Sequence, residues 1–85
     1  MRTRKRREIL RREIGRMIHG RRKMRGMAAN TVDQLAKQPI GTTHRIESAE
    51  NSTRFSVVMD VMHAAGVQED EFLELVKFNR RMMDD

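Results

Sequence analysis

The sequence predicts an all-α protein: five helices with a basic N-terminal extension. Three observations lead there. Apolar residues recur at helical steps, as in Leu10, Ile14, Met17 and Ile18, then again in Phe55, Val58, Met59, Met62 and Ala65, and no strand is read from the pattern. Gly26, Pro39 and Gly66 punctuate these stretches, and they are residues that commonly stop or start helices. At 85 residues without a cysteine, the chain is one small domain held by helix packing alone, with no disulfide and no thiolate metal site.

The first helix is amphipathic, begins as early as Arg6 and runs to about Arg25, where Gly26 stops it. A short second helix starts at Ala29 or Asn30, with Val32, Leu35 and Ala36 turned inward. Pro39 opens the third, because its missing N–H would be unpaired in a first turn anyway, and that helix extends to Glu47. Ser48 to Arg54 form a polar loop in which Ser52 or Thr53 can cap a fourth helix, Arg54 to Ala65. Gly66 ends the fourth. The run Gln68-Glu69-Asp70-Glu71 then places acids at the positive end of the fifth helix, and Arg80 and Arg81 lie near its negative end.

Charge is segregated. Residues 1–25 hold twelve of the eighteen Lys and Arg against two acids, a local charge of +10, whereas the remaining sixty carry six bases and ten acids, or −4. Phosphate neutralisation with release of condensed counterions is the common use of so dense a block, beside the plainer role of a solubilising tail. An anionic membrane fits less well, since the segment lacks a bulky apolar face. Residues 1–12 are therefore read as a basic arm, partly flexible or extending the first helix, and residues 13–85 as the helical domain. No apolar run approaches the roughly 18 residues of a membrane span and Met1 to Lys5 leads into more arginines, so the chain reads as soluble and cytoplasmic.

Ile14, Gly15, Ile18, Arg22, Lys23, Gly26 and Met27 fit the opening pattern of the lambda repressor and Cro (XRE-like) helix-turn-helix family. Arg45-Ile46-Glu47 follows nineteen positions after Gly26, and Phe55, Val58, Met59, Met62, Ala65, Gly66 and Val67 continue the match. From Ile14 to Leu73 the chain thus resembles that family without a gap. The resemblance implies a DNA-binding transcription regulator, phage- or plasmid-encoded or nucleoid-associated, whose third helix lies in the major groove. It implies that Ile40, Gly41 and His44 face bases, that Thr42 and Arg45 meet phosphate, and that Arg22 and Glu47 form an ion pair joining the first helix to the end of the third. The phosphate contacts of the arm fall to Arg2, Arg4, Lys5, Arg6 and Arg7.

Base reading is expected to be poor. Ile40 can offer only apolar contact to a thymine methyl and Gly41 has no side chain, whereas bidentate reading needs Arg, Lys, Asn or Gln. Ala29 and Pro39 stand where the family commonly has its phosphate-clasping Gln and Ser. Asp33 replaces a small Ala, and Gln38 and Thr43 replace buried apolar residues. Either the register between Met27 and Ile40 is shifted, so that Leu35-Ala36 serves as the family's Leu-Ala pair, or the motif has drifted from DNA reading. The second possibility makes the chain a protein-interaction module, docking its basic arm on an acidic partner or on RNA.

The rest of the chain offers no chemistry of its own. His19, His44 and His63 fall on three different helices with no metal-binding spacing, and the acids Glu69, Asp70 and Glu71 suit a helix start. No nucleotide-binding glycine motif or nucleophile-base pair occurs, so neither enzyme nor cofactor is expected. Leu75, Val76, Phe78, Met82 and Met83 carry the last helix past the family's minimal domain. They serve either a homodimer contact, with Leu75, Phe78 and Met82 at its centre, or packing of the fifth helix on the first.

Overall fold

The computed structural model describes residues 1–50 and 53–84. Among these residues the protein is all-helical, with α1 Thr3–Met24, α2 Ala29–Leu35, α3 Thr42–Glu47, α4 Phe55–Ala65 and α5 Glu69–Asp84. Helix α1 is the organising element. It packs against α3, α4 and α5, while α2 bridges α3 and α4.

Ile18 on α1, Val32 on α2, Ile46 on α3 and Val61, Met62 and Ala65 on α4 form the buried centre. Removing these side chains from water is the main favourable term, about 1.5–3 kcal/mol for each large one. Gly15 makes the α1–α3 approach possible: a Cβ there would stand 2.9 Å from the carbonyl oxygens of both Ile46 and Glu47.

Four helices end in one way. A residue with positive φ is followed by one whose N–H donates to a carbonyl five residues back, the closure that satisfies the last carbonyls of a helix. Gly26 and Gly66 supply two of the turns, with Met27 N bonded to Arg22 O at 2.8 Å and Val67 N to Met62 O at 3.0 Å. Lys37 (φ 56°) and Ala49 (φ 61°) supply the others, with Gln38 N to Asp33 O at 2.9 Å and Glu50 N to Arg45 O at 3.1 Å.

Several sequence-based expectations are corrected. Helix α3 begins at Thr42, and Pro39 and Ile40 precede it, because Gly41 at φ 100° interrupts helical geometry and becomes the N-cap. Leu35 is 60% exposed and Phe55 69% exposed, since α2 and α4 turn Val32, Val61, Met62 and Ala65 inward instead. Met59 and Met24 are likewise exposed. Helix α4 starts at Phe55 with Arg54 as N-cap and no side-chain cap, so Thr53 does not cap it; Ser52 lies outside the described residues. For residues 1–12, read as partly flexible or as extending the first helix, the second alternative is adopted: α1 starts at Thr3 and runs unbroken past residue 12.

Met82 is 4% exposed and belongs to the interior. Leu75 and Phe78 are half-buried and share a groove with Glu13 and Met17 of α1. Arg6 Nη1 donates to Asn79 Oδ1 at 2.7 Å, and Arg21 pairs with Glu71. Within the chain, helix α5 therefore turns this face toward α1.

Candidate nucleic-acid interface

The turn between α2 and α3 is built around one carboxylate. Asp33 is fully buried; its Oδ2 accepts from Gly41 N at 2.9 Å, and its Oδ1 accepts from Thr43 N at 2.7 Å and from Thr43 Oγ1 at 2.6 Å. The first turn of a helix has N–H groups without intrahelical partners, and Gly41 has no side chain to meet them. Asp33, projecting from the neighbouring helix, takes that role. The same contact explains two odd residues together: an acid and a hydroxyl at adjoining inward positions satisfy each other. Val32 and Asp33 occupy the inner face of α2 and Leu35 does not, so the shifted register that would turn Leu35 inward is not adopted.

These bonds limit what α3 can offer a ligand. Thr42 is 3% exposed and its hydroxyl donates to Pro39 O at 2.7 Å, so it is not available to a phosphate. The Gly41 N–H is committed to Asp33. Ile40, His44 and Arg45 remain on the surface, with Arg45 Nη2 donating to Thr42 Oγ1 at 3.4 Å.

Behind α3, Arg22 and Glu47 meet in bidentate geometry, Nε to Oε2 at 2.6 Å and Nη2 to Oε1 at 2.9 Å, with side chains 11% and 10% exposed. Arg22 Nη1 also donates to Met27 O at 3.2 Å, and His19 Nδ1 lies 2.8 Å from Glu47 Oε1. Burial pushes the Glu47 carboxyl up, but hydrogen bonds from Arg22 and His19 outweigh it, leaving Glu47 below the usual carboxylate range. The hydrogen bond from Arg21 similarly holds Glu71 low, with help from the Gln68 N–H at 3.1 Å.

The cations of α1 and its C-cap divide by partner. Arg6, Arg21, Arg22 and Arg25 reach Asn79, Glu71, Glu47 and the carbonyl of Ala64. Arg6 is thus tied to α5 and is not a free arm residue. Arg2, Arg4, Lys5, Arg7, Arg12 and Lys23 are exposed and form no ion pair among the described residues. Arg11 lines a groove with Arg7, Ile14, Ile46, Phe55 and Val58, and its Nε is buried without a partner among the described residues. No group of three or more metal-ligating side chains is present among the described residues, and no helix is long and apolar enough to cross a membrane.

Sequence reasoning missed the Asp33–Thr43 contact, the place of His19 beside Glu47 and the two ties from α1 to α5. For the first a signal existed: two misfits at once, an acid for an alanine and a hydroxyl for an apolar residue. Compared with known protein families, curated proteins and solved structures, the chain matches none.

Proposed function

We propose that this protein is a DNA-binding regulator of the lambda repressor and Cro helix-turn-helix type, in which cations of α1 neutralise phosphates and α3 supplies limited base reading. The observation that carries the reading is the unneutralised charge on and beside α1: Arg4, Lys5, Arg7, Arg12 and Lys23 of the helix, and Arg2 at its N-cap, are exposed and form no ion pair among the described residues. A helix carrying such a charge is repelled by itself and attracted to a polyanion. The two-helix turn of α2 and α3, with His44, Arg45 and Ile40 on its outer side, is the element that suits a major groove.

A salt titration against duplex DNA tests this. Binding is expected to weaken linearly in log-log form, and deleting Met1 to Arg7 is expected to flatten the slope by about 0.9 for each phosphate that is no longer neutralised. His44→Ala is expected to change preference among duplexes, because only base-edge contacts carry sequence information. Absence of salt-dependent DNA binding by the full chain would overturn the assignment.

One observation favours a second reading, an interaction module that has given up sequence-specific DNA reading. Asp33 already occupies the amides at the start of α3, and a fixed carboxylate there repels a phosphate that would otherwise use the helix terminus. Failure of His44→Ala and Arg45→Ala variants to bind a protein or RNA partner, with DNA binding unchanged, would select that reading.

A further inference from the structure

Helix α1 carries a second, more ordered pattern along the side opposite its core residues. At about 100° per residue, Lys5, Arg12, Arg16 and Lys23 fall within about 20° of a single line, half a turn of the helix away from Ile14 and Ile18. All four are exposed. Lys5, Arg12 and Lys23 form no ion pair among the described residues, and Arg16 meets only Glu13 of its own helix, at 3.0 Å. With a rise of 1.5 Å per residue the line is about 27 Å long.

We infer that this line is a rigid track for the phosphate wall of a nucleic-acid duplex, so that the backbone-binding surface is the full outer side of α1 and not only its first residues. The inference rests on the nucleic-acid reading above and adds to it the straight alignment of Lys5, Arg12 and Lys23 and a fourth cation, Arg16. A duplex presents one negative charge for about every 1.7 Å of its axis, a continuous counterpart to a straight row of cations. A flexible arm loses conformational freedom when it binds, whereas side chains on a preformed helix lose less. No acid lies in the row, and beside the track His19 and Arg16 of α1 share a groove with His44, Ser48 and the Arg22-paired Glu47, so the track adjoins α3. A membrane surface fits less well: the one bulky apolar residue near the line is the half-buried Ile9, and the apolar side of α1 is already used by the core.

The test compares two variants of equal net charge. One carries Lys5→Gln, Arg12→Gln, Arg16→Gln and Lys23→Gln; the other carries Arg54→Gln, Lys77→Gln, Arg80→Gln and Arg81→Gln. Salt titrations with a DNA duplex and an RNA duplex of the same length are the readout, after circular dichroism has shown that helix content is kept. The track variant is expected to lose about 3.6 from the log-log slope, four phosphates at about 0.9 each, and the control less than one unit. Should the fourfold variant misfold, Arg12→Gln alone is expected to lose about 0.9. A selective loss with DNA, with RNA or with both supports the track and identifies which duplex it holds. Equal losses in the two fourfold variants, with DNA binding intact in the parent chain, overturn the track and leave the DNA reading standing. A selective loss confined to RNA keeps the track as an RNA-binding surface and leaves the DNA assignment to the parent chain's own binding to the DNA duplex. No binding of the parent chain to either duplex overturns both.

Discussion

Asp33 shows how one buried polar residue becomes tolerable. A carboxylate taken out of water costs free energy unless its oxygens are met, and here three donors meet it, two amides and a hydroxyl. Asp33→Ala would strand all three and is expected to destabilise by roughly 2–4 kcal/mol, read as a lower urea midpoint. Adding Thr43→Val to that variant removes one donor at the same time. A double-mutant cycle is therefore expected to give a coupling of about 1 kcal/mol or more between the two positions, and strict additivity would refute the contact. At the other end of α3, Glu47→Ala leaves Arg22 nearly buried without its acid and is expected to cost roughly 3 kcal/mol, against less than about 0.5 for the exposed Glu50→Ala.

The pH dependence has a definite sign. The folded carboxyls of Glu47 and Glu71 titrate below their ordinary range, so the unfolded chain binds protons first as the pH drops. Their contribution to stability is complete above the unfolded value, about 4.3, and is lost as the pH falls through the lower folded values. Glu47→Gln is expected to have a shallower fall in melting temperature over that acid range than the parent chain, and an identical fall would show that the pair contributes nothing to linkage.

At the scale of the element, the two interior glycines of α1 make opposite predictions from one substitution. Gly15→Ala drives a methyl against the backbone oxygens of Ile46 and Glu47, which cannot move aside as a flexible side-chain tip could, so a cost of about 1–3 kcal/mol is expected. A Cβ at Gly20 would meet nothing within 4 Å. Gly20→Ala is then expected to stabilise by about 0.5–1 kcal/mol through helix propensity alone. A shift of the same sign in both melting temperatures would contradict the close approach of α1 to α3. Helix ends show where local reading falls short. Gly26 and Gly66 are legible as stops because glycine tolerates positive φ, but Lys37 and Ala49 adopt the same geometry with no residue type to announce it. There the closing hydrogen bonds and the packing of α2 and α3 impose the turn on side chains that do not favour it.

For the whole molecule, the cations at α1 fall into two electrostatic groups. Arg6, Arg21, Arg22 and Arg25 are tied to α5, α3 and α4, whereas Arg4, Lys5, Arg7, Arg12 and Lys23 form no ion pair among the described residues. Met82→Glu, which places a charge at a buried position of α5, is expected to lower the melting temperature by several degrees at any protein concentration. Recovery of the parental value on raising the concentration would instead locate Met82 in an intermolecular contact.

The sequence alone determined the helical class, the number and order of the helices, the two glycine stops and the charge imbalance, because each depends on residues close together in the chain. It also singled out Arg22 and Glu47, through a resemblance of spacing, as partners that the folded chain does bring together. Tertiary structure decided which face of each helix is spent inside: Leu35 and Phe55 lie outside, and Asp33, Thr42 and Met82 inside. Those outcomes depend on which elements meet. Short helices such as α2 and α3 have too few turns for periodicity to define a face, so neighbouring helices and the need to satisfy buried polar groups define it instead.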